Sequence, residues 1–468
     1  MRAPLVVPVA IGAFFGAVST RLPVGDSDVF WHLVLGRQVL EGNIALPEAV
    51  SGLSWTATGY AGSSDQWLGQ ALLALADAAA GWRGIVAVRA IAIALLVGIV
   101  VYAALRERPA RPLVGVLAAL PAIALSRFVW AERPELFGFV CFALLVVLLR
   151  AGRSGSDRAL YWIPPLIVVW ANLHGSFALG VVLTAIVAVE GAIAQPTRRR
   201  MFVVAAVGAF VASLLTPATI GTWTAPAFHF LNPPREIQEW AVPDVTTLPG
   251  MIFSVALLAT FATAFLARTR SPREAVLLVP VLFISLTAVR QTPLFAIVAA
   301  PYLAAHGGDA LTELATLLRI RTPRVVSIAR QPARAVDLIA FVIGAAVLAV
   351  AAATGTDAPA LDGFPTAAVP SLRPGPGLLN QYDWGGYLVW SAPRTPVFVD
   401  GRLIPFLGPV LDDYATVIGV HPGWRDVIAR RGIRQILVRP SDPVAVRARD
   451  LGWPIRASSD TFVLIDVP

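Results

Sequence analysis

Residues 84–111, GIVAVRAIAIALLVGIVVYAALRERPAR, run apolar from 84 to 105 apart from Arg89 and then meet Arg106, Arg108 and Arg111. The apolar part matches the roughly 20 residues that a helix needs to cross a bilayer. Similar stretches lie at about 3–20, 113–129, 136–150, 160–172, 176–194, 201–217, 250–267, 274–289, 291–306 and 336–354. That predicts eleven spans. Several are short, and Pro121, Pro164, Pro165 and Pro301 interrupt them, as happens where helices tilt, break or line a cavity.

The arginines give the orientation. They gather in alternate loops: Arg106, Arg108, Arg111; Arg150, Arg153, Arg158; Arg198, Arg199, Arg200; Arg268, Arg270, Arg273; and Arg319, Arg321, Arg324, Arg330, Arg334. By the positive-inside rule these loops face the cytoplasm. The N-terminus then lies inside and the C-terminal segment outside. Ala3–Thr20 reads as an uncleaved first span rather than a signal peptide.

Composition agrees with a membrane body. Of 468 residues 57% are hydrophobic and 14% charged, against roughly a quarter charged in soluble domains. The net charge of +8 follows from the loop arginines. No basic stripe with interleaved aromatics is present, which excludes nucleic acid as a partner. All 37 basic residues are Arg, a coding bias that fits a GC-rich bacterial genome. The single Cys141 excludes an intrachain disulfide and a Cys metal site.

The loops on the other side differ in character. The first, 21–67, is long, and Asp28 is placed to cap a helix from Val29 to about Leu40. Phe30, Leu33, Val34 and Leu40 give that helix an apolar side suited to a membrane surface. Loop 218–249 carries His229, Arg235, Glu236, Glu239 and Trp240. Residues 355–377 are rich in Pro, Gly and Ala and read as a linker. Beyond it, strands are expected at Tyr387–Trp390, Pro396–Asp400, Arg434–Val438 and Thr461–Val467, with helices at 411–419, 423–431 and 442–451. The expected fold class is an α-helical polytopic membrane protein with a small extracytoplasmic α/β C-terminal domain. Its divisions are a transmembrane domain 1–354 with the structured loop 21–67, the linker 355–377, and the α/β domain 378–468.

Chemistry-bearing residues collect at the ends of the outer loops. Asp26 and Asp28, one residue apart, can share a divalent cation, or one can serve as a base oriented by the other. The plainer reading is a helix cap beside a solvated acid. His32 lies one turn after Asp28, able to pair with it or to contact a phosphate. Gln66 and Trp67 close the loop, Trp67 also suiting an interfacial anchor. Glu132, Arg133 and Glu135 form either a structural ion pair or a phosphate grip. Asn172 and His174 sit in a polar turn that must face protein or a cavity. Arg290 either snorkels or holds a lipid phosphate. There is no P-loop, HExxH or G-x-S-x-G. In the C-terminal part, Tyr382-Asp-Trp-Gly-Gly-Tyr387 and Asp400-Gly-Arg402 read as core rather than sugar-stacking surface.

Taken in order, several pieces resemble the GT-C superfamily of polytopic glycosyltransferases, and within it a group of bacterial membrane proteins. They are Asp26-Ser-Asp-Val-Phe-Trp-His32 with Gly36-Arg37, Asp65-Gln-Trp-Leu68, Arg133-Pro-Glu135, Trp170-Ala-Asn-Leu-His-Gly175, Tyr382-Asp-Trp-Gly-Gly-Tyr-Leu388 and Val399-Asp-Gly-Arg402. The resemblance implies a polyprenyl-phosphate sugar donor, a glycan, lipid or protein acceptor, and a site on the outer side of a bacterial cytoplasmic membrane. It puts the base or metal-binding role on Asp26 or Asp28, with Mg or Mn as the candidate metal. Donor phosphate falls to Arg133, His174 or Arg290, with Glu132, Asn172, Gln66 and Trp67 nearby. Gln66 stands where such sequences often carry an acid. Two other classes compete: a non-catalytic scaffold that binds a partner through the C-terminal module, and a transporter or flippase of a lipid-linked sugar. The concentration of polar residues at one face and the lack of an internal repeat weigh against transport.

Overall fold

The computed structural model describes residues 5–43, 50–60, 64–107, 112–232, 238–268, 271–319 and 334–468. Arg108, Arg111, Arg235, Glu236, Arg270, Arg321, Arg324 and Arg330 lie outside the described residues. The chain forms two compact units, one of Met1–Leu22 with Val86–Gly355, the other of Pro23–Ile85 with Thr356–Pro468.

The first unit is helical. Among the described residues, six helices of the chain are long and apolar enough to cross a membrane: Trp67–Arg106, Glu135–Arg153, Phe177–Ala194, Leu248–Leu266, Val289–Leu317 and Ala335–Ala353. Each expected span contains a helix. Five of these helices are shorter: Val6–Ser19, Pro112–Ser126, Ile163–Leu173, Arg199–Ser213 and Ala275–Ser285. The chain is thus a mostly helical, multi-pass membrane protein. Thr292–Leu317 is the central helix, with every residue from Thr292 to Ala304 buried. It packs against Pro112–Ser126 and Leu248–Leu266. Small residues allow close crossings. A β-carbon at Gly180 would meet the Trp170 ring at 2.5 Å, and one at Gly191 would meet Phe202 at 2.3 Å.

The second unit holds a four-stranded sheet of β1 (Leu378–Asn380), β2 (Gln435–Val438), β3 (Ile455–Ser458) and β4 (Val463–Asp466), in the order β1-β2-β4-β3. β1 and β2 are parallel, and the other two pairs antiparallel. Leu379, Ile436, Val438, Val463 and Ile465 join Phe398, Phe406 and residues of helices Pro409–Ile418, Trp424–Arg431 and Pro443–Asp450 in one core. The expected helices and the strands at Gln435–Val438 and Val463–Asp466 are present.

Tyr387–Trp390 is not a strand. It lies in a helix, Gly385–Ser391. Its β-forming residues are overruled by packing: Tyr387 and Trp390, three apart and so on one face, both reach Phe30 with ring centroids 5.4 Å away. Pro396–Asp400 is not a ladder strand either; Val397 makes an isolated bridge to Ser54. The expected linker is docked: Ala360 N donates to Val24 O at 2.7 Å, and Trp384 Nε1 donates to Gly363 O at 2.9 Å.

The first loop belongs to this unit. Helix Asp28–Leu40 buries Val29, Phe30, Trp31, His32, Leu33, Leu35, Gly36 and Val39, so it is enclosed on most sides rather than along one face. Trp55 Nε1 donates to Leu378 O at 3.0 Å. Arg402 binds Asp400 through two hydrogen bonds of 2.8 and 2.6 Å and also donates to Val50 O, anchoring the loop.

Glycines make these contacts close. A β-carbon at Gly386 would stand 2.4 Å from Ser27 O, one at Gly385 2.2 Å from Val399 O, and one at Gly401 1.9 Å from Asp28 Oδ1. Overpacking of this kind costs about 1–3 kcal/mol. Gly386→Ala is therefore expected to lower the thermal midpoint of the purified protein by several degrees. An unchanged midpoint would show that the approach of the segment to Ser27 is not tight.

Candidate functional site

The candidate residues fall into two groups, one in each unit. In the second unit, Asp26 Oδ1 accepts from Asp28 N at 2.8 Å. Helix Asp28–Leu40 begins at Asp28 itself, so Asp26, not Asp28, supplies the side-chain oxygen at the helix start. This leaves the Asp28 carboxylate pointing toward Gly401, whose missing side chain gives it room. His32 is buried and lies against Trp31, with ring centroids 3.6 Å apart. Its Nδ1 is 3.4 Å from Gln70 Nε2. Gln70 Oε1 accepts from Ser64 Oγ at 2.9 Å, which turns the amide nitrogen toward His32. Gln70 carries no motif, and sequence reading passed over it.

Trp67 opens helix Trp67–Arg106. Gln66, just before it, hydrogen-bonds the Asp65 carboxyl, while burial pushes the Asp65 pKa up. Among the described residues no three or more His, Cys, Asp or Glu side chains converge to hold a metal. Asp26 and Asp28 alone do not make a metal site; a cation there would draw most of its ligands from substrate or water.

In the first unit, four loops bring their ends together around Arg290. Its guanidinium lies 2.6 Å from Glu135 Oε2 and 2.6 Å from Glu239 Oε1. Arg133 Nη1 is 3.6 Å from Glu239 Oε2. The Trp240 ring covers Arg290 at 4.8 Å and stacks on His229 at 5.2 Å. Arg133 is thus brought to an acid of a later loop. Glu132 instead binds Arg89, both deeply buried, and Arg89 also donates to Ser19 O at 2.7 Å and Leu22 O at 2.9 Å. Asn172 Nδ2 donates to Val168 O at 2.8 Å and Leu215 O at 2.9 Å, a tie between helix ends. Glu239, Trp240 and His229 were visible in the sequence as loop polarity, but nothing local pointed them at Arg290.

His174 belongs to this cluster. Ser176 Oγ accepts from Trp170 Nε1 at 3.0 Å, so its own hydrogen is available to His174 Nδ1 at 2.8 Å. Ser176 N also donates to Nδ1, at 3.1 Å. Two donors on Nδ1 leave the proton on Nε2. The imidazole is therefore neutral and still offers an N–H. Burial lowers its pKa to about 4; Glu135 opposes that shift, and Arg290 and His229 add to it. Burial, with Arg290, likewise lowers His229 to about 4.

Glu135 begins the helix whose last turn carries Arg150 and Arg153, so the cluster and those arginines stand at opposite helix ends. Arg150 meets Glu107 and Glu274 at 2.7 and 2.6 Å, and Glu190 meets Arg153 and Arg273 at 3.2 and 2.5 Å. Arginine-bearing loops thus meet acids of one another at that end of the helices.

No protein-family model matches the chain, and no curated protein matches it in sequence. Solved structures do match in fold. One is the archaeal oligosaccharyltransferase AglB from Archaeoglobus fulgidus, in complex with an inhibitory peptide and a dolichol-phosphate: 11% identity, 92% of this chain and 69% of that chain, TM-score 0.50. Another is an Archaeoglobus fulgidus oligosaccharyltransferase in the apo form: 10% identity, 93% and 69% covered, TM-score 0.44. The first match shows a fold shared with that oligosaccharyltransferase.

Both partly buried imidazoles bind a proton near pH 6.5 when unfolded and at about pH 4 when folded. Their contribution to stability is whole above about 6.5 and declines as pH falls toward about 4. The thermal midpoint should drop across that window, and His174→Asn should flatten part of the drop. An identical pH profile in the variant would mean that His174 titrates normally.

Proposed function

We propose that the chain is an inverting glycosyltransferase of GT-C type. It moves a sugar from a polyprenyl-phosphate donor to an acceptor hydroxyl of a glycan, lipid or protein at the outer face of a bacterial cytoplasmic membrane. The observation that carries this is the gathering of Arg133, Arg290 and the neutral His174 at one end of the helical unit. Guanidiniums and an uncharged N–H are the groups that a phosphate leaving group calls for. The fold likeness supports it, since the matched oligosaccharyltransferase was solved with a dolichol-phosphate. Eleven spans, with the arginine loops inside and the C-terminal module outside, belong to the same proposal.

The reaction forms a bond between the acceptor oxygen and the anomeric carbon while the bond from that carbon to the phosphate oxygen breaks. The acceptor proton passes to a carboxylate base, the role that the resemblance of the first loop gives to Asp26 or Asp28. The departing polyprenyl phosphate gains one negative charge. Arg133 and Arg290 meet that charge, and His174 Nε2 donates to the same oxygens. Because the charge grows during the reaction, these contacts strengthen toward the transition state.

The test is transfer of labelled sugar from a polyprenyl-phosphate donor by a variant with both Asp26→Asn and Asp28→Asn. Loss of a base of this kind typically lowers turnover by about 10²–10⁴-fold. The expected result is such a loss with an unchanged thermal midpoint. Full transfer by the folded variant would sink the assignment of the base.

A further inference from the structure

Arg133 and Arg290 already share an anion, the carboxylate of Glu239, at 3.6 and 2.6 Å. Arg290 has a second carboxylate, Glu135, but the two acids are held differently. The Glu135 side chain is 14% exposed and sits in the first turn of a long helix. The Glu239 side chain is 39% exposed and sits on a single turn, Gln238–Trp240, that buries none of its residues. Solvent therefore reaches Glu239, whose turn is held by Trp240 against Arg290 and His229.

We propose that Glu239 is an internal stand-in for substrate phosphate, displaced when the donor binds, and that it determines which anions the site accepts. The proposal rests on the reading of Arg133 and Arg290 as phosphate-binding. With Glu239 in place, the two guanidiniums face two carboxylates among the described residues, so their charges are balanced there. An incoming anion gains little until Glu239 leaves. A tetrahedral phosphate can place separate oxygens on both guanidiniums, as the two oxygens of Glu239 do, and so can replace it. An anion that reaches one guanidinium cannot compensate the loss of both contacts. Trp240 moves with Glu239, since it is the next residue and covers Arg290. The hinge is adjacent: Ala241 O accepts from Val289 N at 2.8 Å, pinning the chain just past the turn.

The experiment is calorimetric titration of the detergent-solubilised full chain with farnesyl phosphate, for the wild type, Glu239→Gln and Arg133→Gln. Glu239→Gln keeps the side-chain shape and removes the competing charge. It should bind about tenfold more tightly than wild type, and Arg133→Gln about tenfold more weakly. If Glu239→Gln binds equally or more weakly while Arg133→Gln is weakened, the site stands and Glu239 is a supporting residue, which overturns the proposal. If Arg133→Gln binds as wild type does, the anion does not sit on these guanidiniums, and both the site reading and the proposal fall. Thermal midpoints within a few degrees of wild type confirm that each variant is folded.

Discussion

A guanidinium buried among apolar helices must find its countercharge inside the protein, because the surroundings offer little water to replace it. Two such arginines organise the helical unit. Arg89 joins Glu132 to the carbonyls of Ser19 and Leu22, fixing the end of the first helix against two later segments. Arg290 gathers Glu135 and Glu239 from two other loops, with Trp240 over its face. The first of these is sealed and structural. The second includes a half-exposed carboxylate and stands beside a histidine with an N–H to offer, which is why the proposed phosphate site is put there.

In the other unit the governing constraint is backbone proximity. Gly386 and Gly401 are where the C-terminal segment comes closest to the stretch that carries Asp26 and Asp28. Residues more than 350 positions apart in sequence thus form one surface, with Asp28 beside Gly401 and Ser27 beside Gly386. The acids and the sheet module belong to one packed body.

Much of the helical architecture was legible because crossing lipid imposes a strong, local pattern of long apolar stretches. Helices at 409–418 and 443–450 and the strand at 435–438 were legible for the same local reason. The helix at Gly385–Ser391 was not, since its β-forming residues obey Phe30, a residue far away in sequence. Site residues were legible as types but not as pairs. Arg133 sits between two acids in the sequence yet reaches Glu239 of a later loop, while Glu132 turns to Arg89 and Glu135 to Arg290. Gln70 and Glu239 acquire meaning from partners that no spacing announces.

The hydrogen bonds on His174 Nδ1 fix one tautomer, and that has a consequence for how binding couples to the medium. A donor that is already neutral and already carries its proton on Nε2 needs no protonation to receive an oxyanion. Arginine likewise keeps its proton at any physiological pH. An anion docking on these groups therefore draws no proton from the buffer through them. Any proton linked to the site must come from the anion itself or from the carboxylates around it.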